Sequence, residues 1–450
     1  MGIFKAYDIR GRFGETLTLD IAHRIGRCLP QIVPAQRVLI GRDARASSPA
    51  LAEALGRGLA EAGCDVDDAG HATTPMVYYL TARHGYDLSV QVTASHNPAG
   101  DNGFKVSRRG ARPVGYATGL DRLEEFVNSG RLPPPAATPG RRQSIERLEE
   151  FIEFLSPWRP DLGGLRLAVD CSDGMAALVA RPLLGEGPRY LADKPDGAFP
   201  SHSPNPMIPE GHGPLAEYVR RERMDAGVIF DGDVDRVMFI DEQGRFVRPD
   251  LMIAPIAAYF LRREPGATVL QDIRTSRAVT EELVRLGAQP AMWKVGHAFA
   301  KEKMRELNAI CGGELAGHYY FRDFFWCDSG ELAAMVALGE LAAAHRRGLR
   351  FSEWLAPLEC YANSGELNYR LARKAEAMEH VRRQLTAERE PLALLDFDGY
   401  RIEYADWWVN IRLSNTEPYL RLVIEASDAA HLQARREQIE KLLEPYAEEA

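Results

Sequence analysis

The sequence predicts an α/β protein that contains one α/β unit three times and ends in an α+β tail. Three observations predict this fold class. Short apolar strands alternate with helical periods. One local order of strand, polar turn and helix start occurs three times. After about Tyr361, strand-like segments follow one another directly. The 450 residues exceed what one hydrophobic core serves, and at roughly 100–150 residues each they predict three or four domains.

Each predicted unit begins with a strand, continues through a polar turn that contains aspartate, and starts a helix. In the first unit, residues 37–41 form the strand and 49–62 an amphipathic helix. Some 40 to 60 residues later, each unit has a second strand that opens into an unusual loop. The alternation predicts mostly parallel strands. The three starts are VLIGRDARASS (38–48), LAVDCSDGMAA (167–177) and TVLQDIRTSRA (268–278), and the three second strands are LSVQVTASHNP (88–98), AGVIFDGDVDR (226–236) and NAICGGELAGH (308–318).

The tail has the strand-like segments GYRIEYADWWVNIRLS (399–414) and NTEPYLRLVIEA (415–426), followed by a helix from Asp428. This order predicts antiparallel strands in an α+β domain. The proline-rich segment LPPPAATPG (132–140) is the best candidate for a linker between the first two units. We therefore expect domains at residues 1–142, 143–246, 247–359 and 360–450.

Composition restricts the location and the partners. A net charge of −9 argues against general nucleic-acid binding, because phosphate backbones require basic surfaces. Six scattered cysteines without a C-x-x-C pair indicate reduced, mostly buried thiols. The N-terminus lacks an apolar signal core, and the longest apolar run, 251–261, is too short to span a membrane. We expect a soluble cytoplasmic protein, a monomer or weak homo-oligomer, with no nucleic-acid or membrane partner.

The segment DGDVDR places three carboxylates directly after the apolar strand 228–230. Three carboxylates this close repel one another unless a cation lies between them, and oxygen-only ligands suit Mg²⁺. An exposed acidic turn is the plain alternative. A calcium-binding EF-hand loop that starts at Asp231 is a rival, because Glu242 would be its twelfth residue. Its sixth residue would be Arg236 rather than the required glycine, and a strand follows at 237–240. The sequence therefore favours a metal site at Asp231, Asp233 and Asp235.

The loop TASHNPAGDNGFKVS (93–107) places Ser95 at the end of a strand, where α/β proteins concentrate their chemistry. His96 and Lys105 could change its reactivity or neutralise charge on it. A hydrolase triad is disfavoured, because adjacent side chains on an extended backbone point apart and the G-x-S-x-G motif is missing. A polar surface turn is the alternative.

Two further loops carry candidate ligand groups. GGELAGH (312–318) offers Glu314 for sugar hydroxyls and His318, although a turn explains the segment equally well. WKVGH supplies Lys294 and His297. No P-loop or dinucleotide-binding motif is present, so nucleotide binding lacks support.

The segment RLSNTEP (412–418) combines arginine, hydroxyls and loop amides, which suit a phosphate monoester. A hydroxyl-capped turn before Pro418 is the alternative. The candidate phosphate ligands here are Arg412, Ser414, Asn415, Thr416 and Arg421.

Together these loops resemble the α-D-phosphohexomutase family, in its bacterial phosphomannomutase/phosphoglucomutase branch. The resemblance implies three topologically similar mixed-sheet α/β domains plus a C-terminal α+β domain around a central cleft. It also implies a mutase that interconverts hexose 1-phosphate and hexose 6-phosphate through an enzyme phosphoserine and a hexose 1,6-bisphosphate. The matching segments occur in family order: FKAYDIRG (4–11), TASHNP with DNGFK (93–105), DGDVDR (231–236), GELAGH (313–318) and RLSNTEPYLRL (412–422).

The resemblance implies a role for each motif. Ser95 would carry the phosphoryl group, and Mg²⁺ would be held by the three aspartates together with the serine phosphate. Glu314 would contact sugar hydroxyls, and the 412–416 loop with Arg421 would hold the phosphate that is not transferred. Groups that would line the cleft, some of them in proton transfer or charge neutralisation, are Tyr7, Arg10, His96, Lys105, Arg236, Lys294, His297 and His318.

Two positions depart from the family pattern. Ala316 stands where serine is usual, and the lost hydroxyl contact costs about 0.5–1.5 kcal/mol unless Tyr319 or Tyr320 replaces it. Val234 stands where glycine is usual, which predicts a backbone φ below zero there. A phosphoglucosamine mutase, a non-catalytic sugar-phosphate-binding protein and a metal-dependent phosphatase are the alternative functions.

Overall fold

The computed structural model describes residues 2–414 and 418–447 of the chain. Four separate β-sheets follow one another along it. Each of the first three mixes parallel and antiparallel strands, and the fourth is antiparallel. This confirms the predicted fold class, although the strands are less uniformly parallel than the β-α alternation suggested.

The first sheet has the strand order β1-β5-β4-β2-β3-β7, with β6 paired to β5. The segment 132–140 precedes β7, which pairs with β3, so this sheet extends to Ser144. Its strands are β1 (Ile9–Arg12), β2 (Arg37–Arg42), β3 (Asp65–His71), β4 (Leu88–Val92), β5 (Asp101–Arg108), β6 (Arg112–Pro113) and β7 (Arg142–Ser144), and its helices are α1 (Leu19–Ile32), α2 (Ser48–Glu61), α3 (Thr74–His84) and α4 (Leu120–Ser129).

The second sheet has the order β12-β11-β10-β8-β9. The first and second strands of this repeated unit, β8 and β10, are parallel neighbours, as β2 and β4 are in the first sheet. This part of the chain contains α5 (Leu148–Leu155), β8 (Leu167–Asp170), α6 (Ala176–Leu184), β9 (Arg189–Leu191), α7 (Pro209–Glu222), β10 (Ala226–Phe230), β11 (Val237–Asp241) and β12 (Phe246–Val247).

The third sheet, β14-β13-β15-β16-β17, repeats this arrangement. β13 and β15 are parallel, and β15 turns back into antiparallel β16. The elements are α8 (Ile253–Leu261), β13 (Thr268–Asp272), α9 (Arg277–Arg285), β14 (Gln289–Trp293), α10 (His297–Glu306), β15 (Cys311–Gly313), β16 (Tyr319–Phe321), β17 (Cys327–Asp328), α11 (Gly330–Arg346) and α12 (Phe351–Leu355).

The fourth sheet runs β18-β22-β21-β20-β19, with every neighbouring pair antiparallel. The final helix begins after the cap residue Asp428, whose side chain accepts from the His431 amide. The elements are β18 (Ala362–Tyr369), α13 (Lys374–Glu388), β19 (Ala393–Leu395), β20 (Tyr400–Glu403), β21 (Trp407–Leu413), β22 (Leu420–Ala426) and α14 (Ala429–Leu443).

The packing shows which units depend on one another. One hydrophobic cluster joins the second and third sheets to one face of the first, for example through Met76, Val228 and Phe321. The other face of the first sheet and the whole fourth sheet have clusters of their own. All six cysteines are free thiols, and five are buried. Among the described residues, no helix has the length and apolar composition needed to cross a bilayer.

Candidate active site

Three aspartates form a buried acidic cluster where β10 ends. Asp231, Asp233 and Asp235 have no exposed surface, and one carboxylate oxygen from each lies within 4.8 Å of the others. The Oδ1 atoms of Asp233 and Asp235 have no hydrogen-bond partner among the described residues. Burying unpartnered carboxylate oxygens is unfavourable unless a cation neutralises them. An all-oxygen set of this kind fits a hard divalent cation such as Mg²⁺.

The backbone of this cluster corrects one expectation. The φ of Val234 is +69°, in the left-handed region, not below zero. Asp233 and Asp235, on either side of Val234, are both fully buried, and the backbone turns between them through this left-handed residue. A β-branched residue is strained there, and glycine is not.

Ser95 faces this acidic cluster from the first sheet. Its Oγ donates to Oδ2 of Asp231 at 2.7 Å, and the side chain is 1% exposed. The φ of Ser95 is +52°, so the backbone is not extended as expected. This places Oγ 3.2 Å from Nδ1 of His96 and corrects the expectation that the two side chains point apart. Burial and the charges of Arg236 and Arg10 lower the pKa of His96 well below 6.5.

Cationic groups offset the three carboxylates. Nζ of Lys105 donates to Asp233 and Asp235 at 2.6 and 2.5 Å. Burial alone would lower the pKa of Lys105, but these two carboxylates raise it above 10.5. The hydroxyl of Thr74 also donates to Asp233 at 2.6 Å. Arg10 is held by Asp8 at 2.7 Å, and its charge also acts on the aspartate cluster. The ammonium group of Lys105 therefore remains charged beside the carboxylates of Asp233 and Asp235.

His318 connects the third sheet to the acidic cluster. Nε of Arg236 donates to Nε2 of His318 at 3.0 Å, and Arg236 lies 3.9 Å from Asp231. The other ring nitrogen of His318 lies 2.8 Å from Oδ2 of Asp328. The Oδ1 of Asp328 pairs with the fully buried Lys301 at 2.7 Å. The predicted residues Arg236 and His318 thus lie on a connected chain of polar side chains that ends at the buried Lys301.

Glu314 is also buried at the edge of the third sheet. Its Oε1 accepts from the Gly296 amide at 3.2 Å and from the Tyr320 hydroxyl at 2.9 Å. Burial is the main cause that raises the pKa of Glu314. Tyr319 is directed elsewhere, since its hydroxyl donates to the Pro249 carbonyl at 2.7 Å. Of the two tyrosines considered beside Ala316, Tyr320 is the one that contacts Glu314.

Tyr7 and His297 join the first and third units. The Tyr7 hydroxyl donates to the Val295 carbonyl at 3.0 Å, and its ring lies edge-on to His297 with centroids 5.6 Å apart. Burial lowers the pKa of His297 well below 6.5, and its Nδ1 is buried without a hydrogen-bond partner among the described residues. Lys294 is half-buried and lies 5.8 Å from the centroids of Trp293 and Phe299.

The predicted phosphate ligands lie on the fourth sheet, where arginines surround one carboxylate. Glu366 is 3.0 Å from Arg421 and 2.7 Å from Arg274, and 3.9 Å separates it from Arg412. Burial, followed by the charge of Arg274, lowers the pKa of Arg412. The Ser414 amide donates to the Tyr419 carbonyl at 3.0 Å. The predicted ligands Asn415 and Thr416 lie outside the described residues.

Sequence reasoning did not select several residues that hold these groups in place. The signal was present for some, because two of the polar turns used to identify the repeat supply them: GRDARASS contains Asp43 and Arg45, and LQDIRTS contains Arg274. No local signal marked the rest, which are Thr74, Lys301, Asp328 and Glu366.

Comparisons with known proteins cover almost the whole chain. Four domain models match in order: phosphoglucomutase/phosphomannomutase alpha/beta/alpha domain I over residues 1–132, domain II over 144–244, domain III over 248–361, and the C-terminal domain over 366–442.

Two relatives and one solved structure illustrate the similarity. A phosphomannomutase of Escherichia coli is 38% identical, and the match covers 98% of both chains. A protein of Xanthomonas campestris pv. campestris named phosphohexose mutases is 37% identical with the same coverage. The crystal structure of a phosphoglucomutase/phosphomannomutase family protein from Burkholderia thailandensis is 30% identical, covers 98% of this chain and 97% of its own, and superposes with a TM-score of 0.85.

Proposed function

The chain belongs to the phosphoglucomutase/phosphomannomutase family, and we propose that it is a phosphohexomutase acting on mannose phosphate, glucose phosphate or both. It would interconvert the 1-phosphate and the 6-phosphate of the sugar. The observation that carries the proposal is the 2.7 Å hydrogen bond from Ser95 to Asp231, within a buried carboxylate cluster that also holds the ammonium of Lys105. This is a setting for phosphate chemistry on a serine oxygen rather than for acyl transfer.

The phosphoryl group would move between Ser95 and the sugar. In the first step, the bond between phosphorus and Ser95 Oγ breaks, and a bond forms to the free hydroxyl oxygen of a hexose monophosphate. The sugar hydroxyl loses its proton, and the serine oxygen regains one. The product is a hexose 1,6-bisphosphate. This intermediate reorients in the site so that its other phosphate faces Ser95, and it returns that phosphate to Ser95 by the reverse step.

The chain's own cations would stabilise the charge that spreads over the transferring phosphoryl group. Such transfer depends mainly on positioning and on electrostatic stabilisation. Lys105, Arg236 and Arg10 supply fixed positive charge to the aspartate cluster that Ser95 faces. Mg²⁺, which Asp231, Asp233 and Asp235 would hold, supplies further charge neutralisation when bound. The side chains of His297 and His318 are the candidates for moving the hydroxyl proton.

The fourth sheet would bind the phosphate that is not being transferred. Arg412 and Arg421, with Ser414, offer guanidinium and hydroxyl donors, and Glu366 keeps the arginines oriented. Arginine binds phosphate in a planar two-point geometry. Because this group lies on a separate domain, it could receive either phosphate of the bisphosphate. Glu314, positioned by Tyr320 and Gly296, would contact the sugar hydroxyls in between.

The test supplies mannose 1-phosphate, glucose 1-phosphate and glucosamine 1-phosphate separately, each with Mg²⁺ and a trace of hexose 1,6-bisphosphate as activator. Formation of the 6-phosphate, release of free phosphate and the intact mass of the protein are measured. We expect mutase turnover with mannose or glucose, and phosphate on Ser95 that is absent from Ser95→Ala.

Each alternative has its own result. Preferred turnover of glucosamine 1-phosphate would identify a phosphoglucosamine mutase, and release of free phosphate without 6-phosphate a phosphatase. Sugar-phosphate binding without turnover would identify a binding protein. Near-full turnover by Ser95→Ala would show that Ser95 is not the phosphoryl carrier. The cytoplasmic location and the monomeric or weakly oligomeric state remain predictions.

A further inference from the structure

Arg45 is fully buried beneath the loop that carries Ser95. Its side chain has no exposed surface. Its guanidinium donates to four carbonyl oxygens of that loop: those of Ser95 at 2.9 Å, Asn97 at 2.6 Å, Pro98 at 2.6 Å and Asp101 at 3.0 Å. One side chain therefore donates to four of the seven carbonyl groups of residues 95–101.

Arg45 is itself held in one orientation. Its Nε donates to Asp43 at 3.1 Å, and Asp43 also accepts from Ser48 at 2.6 Å and from Thr93 at 2.7 Å. On its other side the guanidinium lies over the ring of Phe199, 5.0 Å from the centroid. Phe199 belongs to the second unit, so Arg45 connects that unit with the serine loop.

Only a guanidinium fits this position. Arginine presents five N–H donors in a rigid plane, whereas lysine offers three donors around one point. With Nε occupied by Asp43, the two terminal nitrogens serve the four carbonyls, two each. A lysine could not reach carbonyls spread along seven residues of loop, and unpaired buried carbonyls are costly.

From these contacts we propose that Arg45 is a positioning residue for phosphoryl transfer. By binding the loop carbonyls it fixes the left-handed backbone at Ser95 and so directs Oγ towards Asp231. The residue does not touch the reacting atoms. The inference rests on the proposed function, because it concerns the serine that would carry the phosphate.

The test compares Arg45→Lys with Arg42→Lys, which makes the same chemical change three residues earlier. Arg42 donates to Asp68 and contacts none of the four loop carbonyls. Hydrogen exchange is measured at the amides of Asn97 and Asp101, which are hydrogen-bonded within the loop, and at the amides of β4 as an internal reference. Steady-state kinetics and the phosphate content of Ser95 are measured on the same samples.

In Arg45→Lys we expect the two loop amides to exchange about tenfold faster while β4 is unchanged. We expect kcat to fall about 100-fold with KM nearly constant, because misplacing a reacting atom by about 1 Å has an effect of this size. Arg42→Lys should behave as the wild type. Added guanidinium should restore part of the turnover of Arg45→Ala but not that of Arg45→Lys.

Unchanged loop exchange and unchanged kcat in Arg45→Lys would overturn the inference. If Arg45→Lys does not fold, the same measurements are made on Asp43→Asn, which keeps the guanidinium of Arg45 but weakens the contact that orients it. This variant should show smaller increases in loop exchange and a smaller loss of kcat. Loop exchange and kcat equal to those of the wild type would also overturn the inference. The proposed function fails separately, through absent turnover in the wild type, and loop exchange still decides the role of Arg45 in that case.

Discussion

Nδ1 of His318 lies 2.8 Å from Oδ2 of Asp328, while the Nε2 of the same ring accepts from the guanidinium of Arg236. A guanidinium can only donate, so Nε2 carries no hydrogen and Nδ1 carries the hydrogen that faces Asp328. The Arg236 guanidinium therefore selects the tautomer of His318 that carries its hydrogen on Nδ1, next to the Asp328 carboxylate. Its second oxygen pairs with Lys301, which has no exposed surface and whose Nζ lies 3.8 Å from the Tyr78 ring centroid.

Replacing Asp328 by asparagine should affect both activity and stability. The neutral carboxamide holds the His318 ring less strongly than the carboxylate does, and it can instead present its NH2 group to Nδ1. Partners that orient histidines at metal sites typically contribute 10- to 100-fold, and we expect kcat to fall by about that factor here. Lys301 loses its partner in the interior, which should lower the free energy of unfolding by about 3 kcal/mol. Steady-state kinetics and urea unfolding measure the two effects.

Asp323→Asn is the matched control for this change. Asp323 is partly exposed and forms only a 3.7 Å ion pair with Arg263. Exposed pairs of this kind contribute about 0–1 kcal/mol, so neither kcat nor stability should change much. Equal effects of the two substitutions would contradict the assigned role of Asp328.

The left-handed backbone of Val234 should reverse the usual order of alanine and glycine variants. In this conformation a residue with Cβ is strained by about 1–2 kcal/mol relative to glycine. We therefore expect Val234→Gly to be more stable than Val234→Ala by about 1 kcal/mol, measured as the difference in free energy of unfolding.

The control for Val234 is Val228, which is equally buried in the regular strand β10. Glycine weakens a strand interior, so Val228→Gly should be less stable than Val228→Ala. The same order at both positions would show that the φ of Val234 is not strained.

His202 should make stability depend on pH. Its Nε2 lies 3.1 Å from both oxygens of the buried Asp170. Burial alone would lower the pKa of His202, but the hydrogen bond and charge of Asp170 raise it above 6.5. Folding therefore favours the protonated ring. The stabilisation should be fully present below about pH 6.5 and be lost as the pH rises through the folded-state pKa.

Urea unfolding of the wild type and His202→Asn from about pH 5.5 to 9 measures this dependence. The difference in free energy of unfolding between the two proteins should be largest at the acidic end and shrink towards the alkaline end. Gln433→Asn, on the exposed surface of α14, removes no group that titrates in this range and is the control that should show a constant difference. A difference in free energy of unfolding that grows with rising pH would contradict the predicted direction of the pH dependence.

Mg²⁺ should stabilise the folded protein through the three aspartates. A ligand that binds only the folded state at about 100 times its Kd adds about 2.7 kcal/mol to the free energy of unfolding. We expect thermal unfolding to shift upward with added Mg²⁺ at constant ionic strength and to return with a chelator. Asp233→Asn should show little shift.

Asp241→Asn controls for the loss of a buried aspartate. Asp241 ends β11, pairs with Arg245, and is not one of the three carboxylates of the acidic cluster. This variant should keep the full Mg²⁺-dependent shift. An equal Mg²⁺-dependent shift in Asp233→Asn and the wild type would show that Mg²⁺ does not bind at this cluster.

Much of the fold was predictable because its signals are local. Strand, polar turn and helix start are encoded within about ten residues, and this order identified all three repeated units; the structure gives their second strands the predicted parallel neighbours. The carboxylates at 231, 233 and 235 were also found locally, since three acids after a buried strand need compensation by positive charge. The pattern of apolar strands did not reveal which strands of each sheet are antiparallel. A strand that follows a hairpin and a strand that follows a parallel crossover can be equally apolar and equally buried.

The sequence by itself determined the repeated α/β units, the antiparallel tail and the chemical nature of each loop, because these depend on side chains close together in the chain. Only the tertiary structure decided how the loops combine. The hydrogen bond from Ser95 to Asp231 joins residues 136 positions apart, and His318 meets Arg236 across 82. The four hydrogen bonds from Arg45 likewise reach carbonyls 50 to 56 positions further along the chain. Such contacts depend on how distant segments pack together, which no short stretch of sequence encodes.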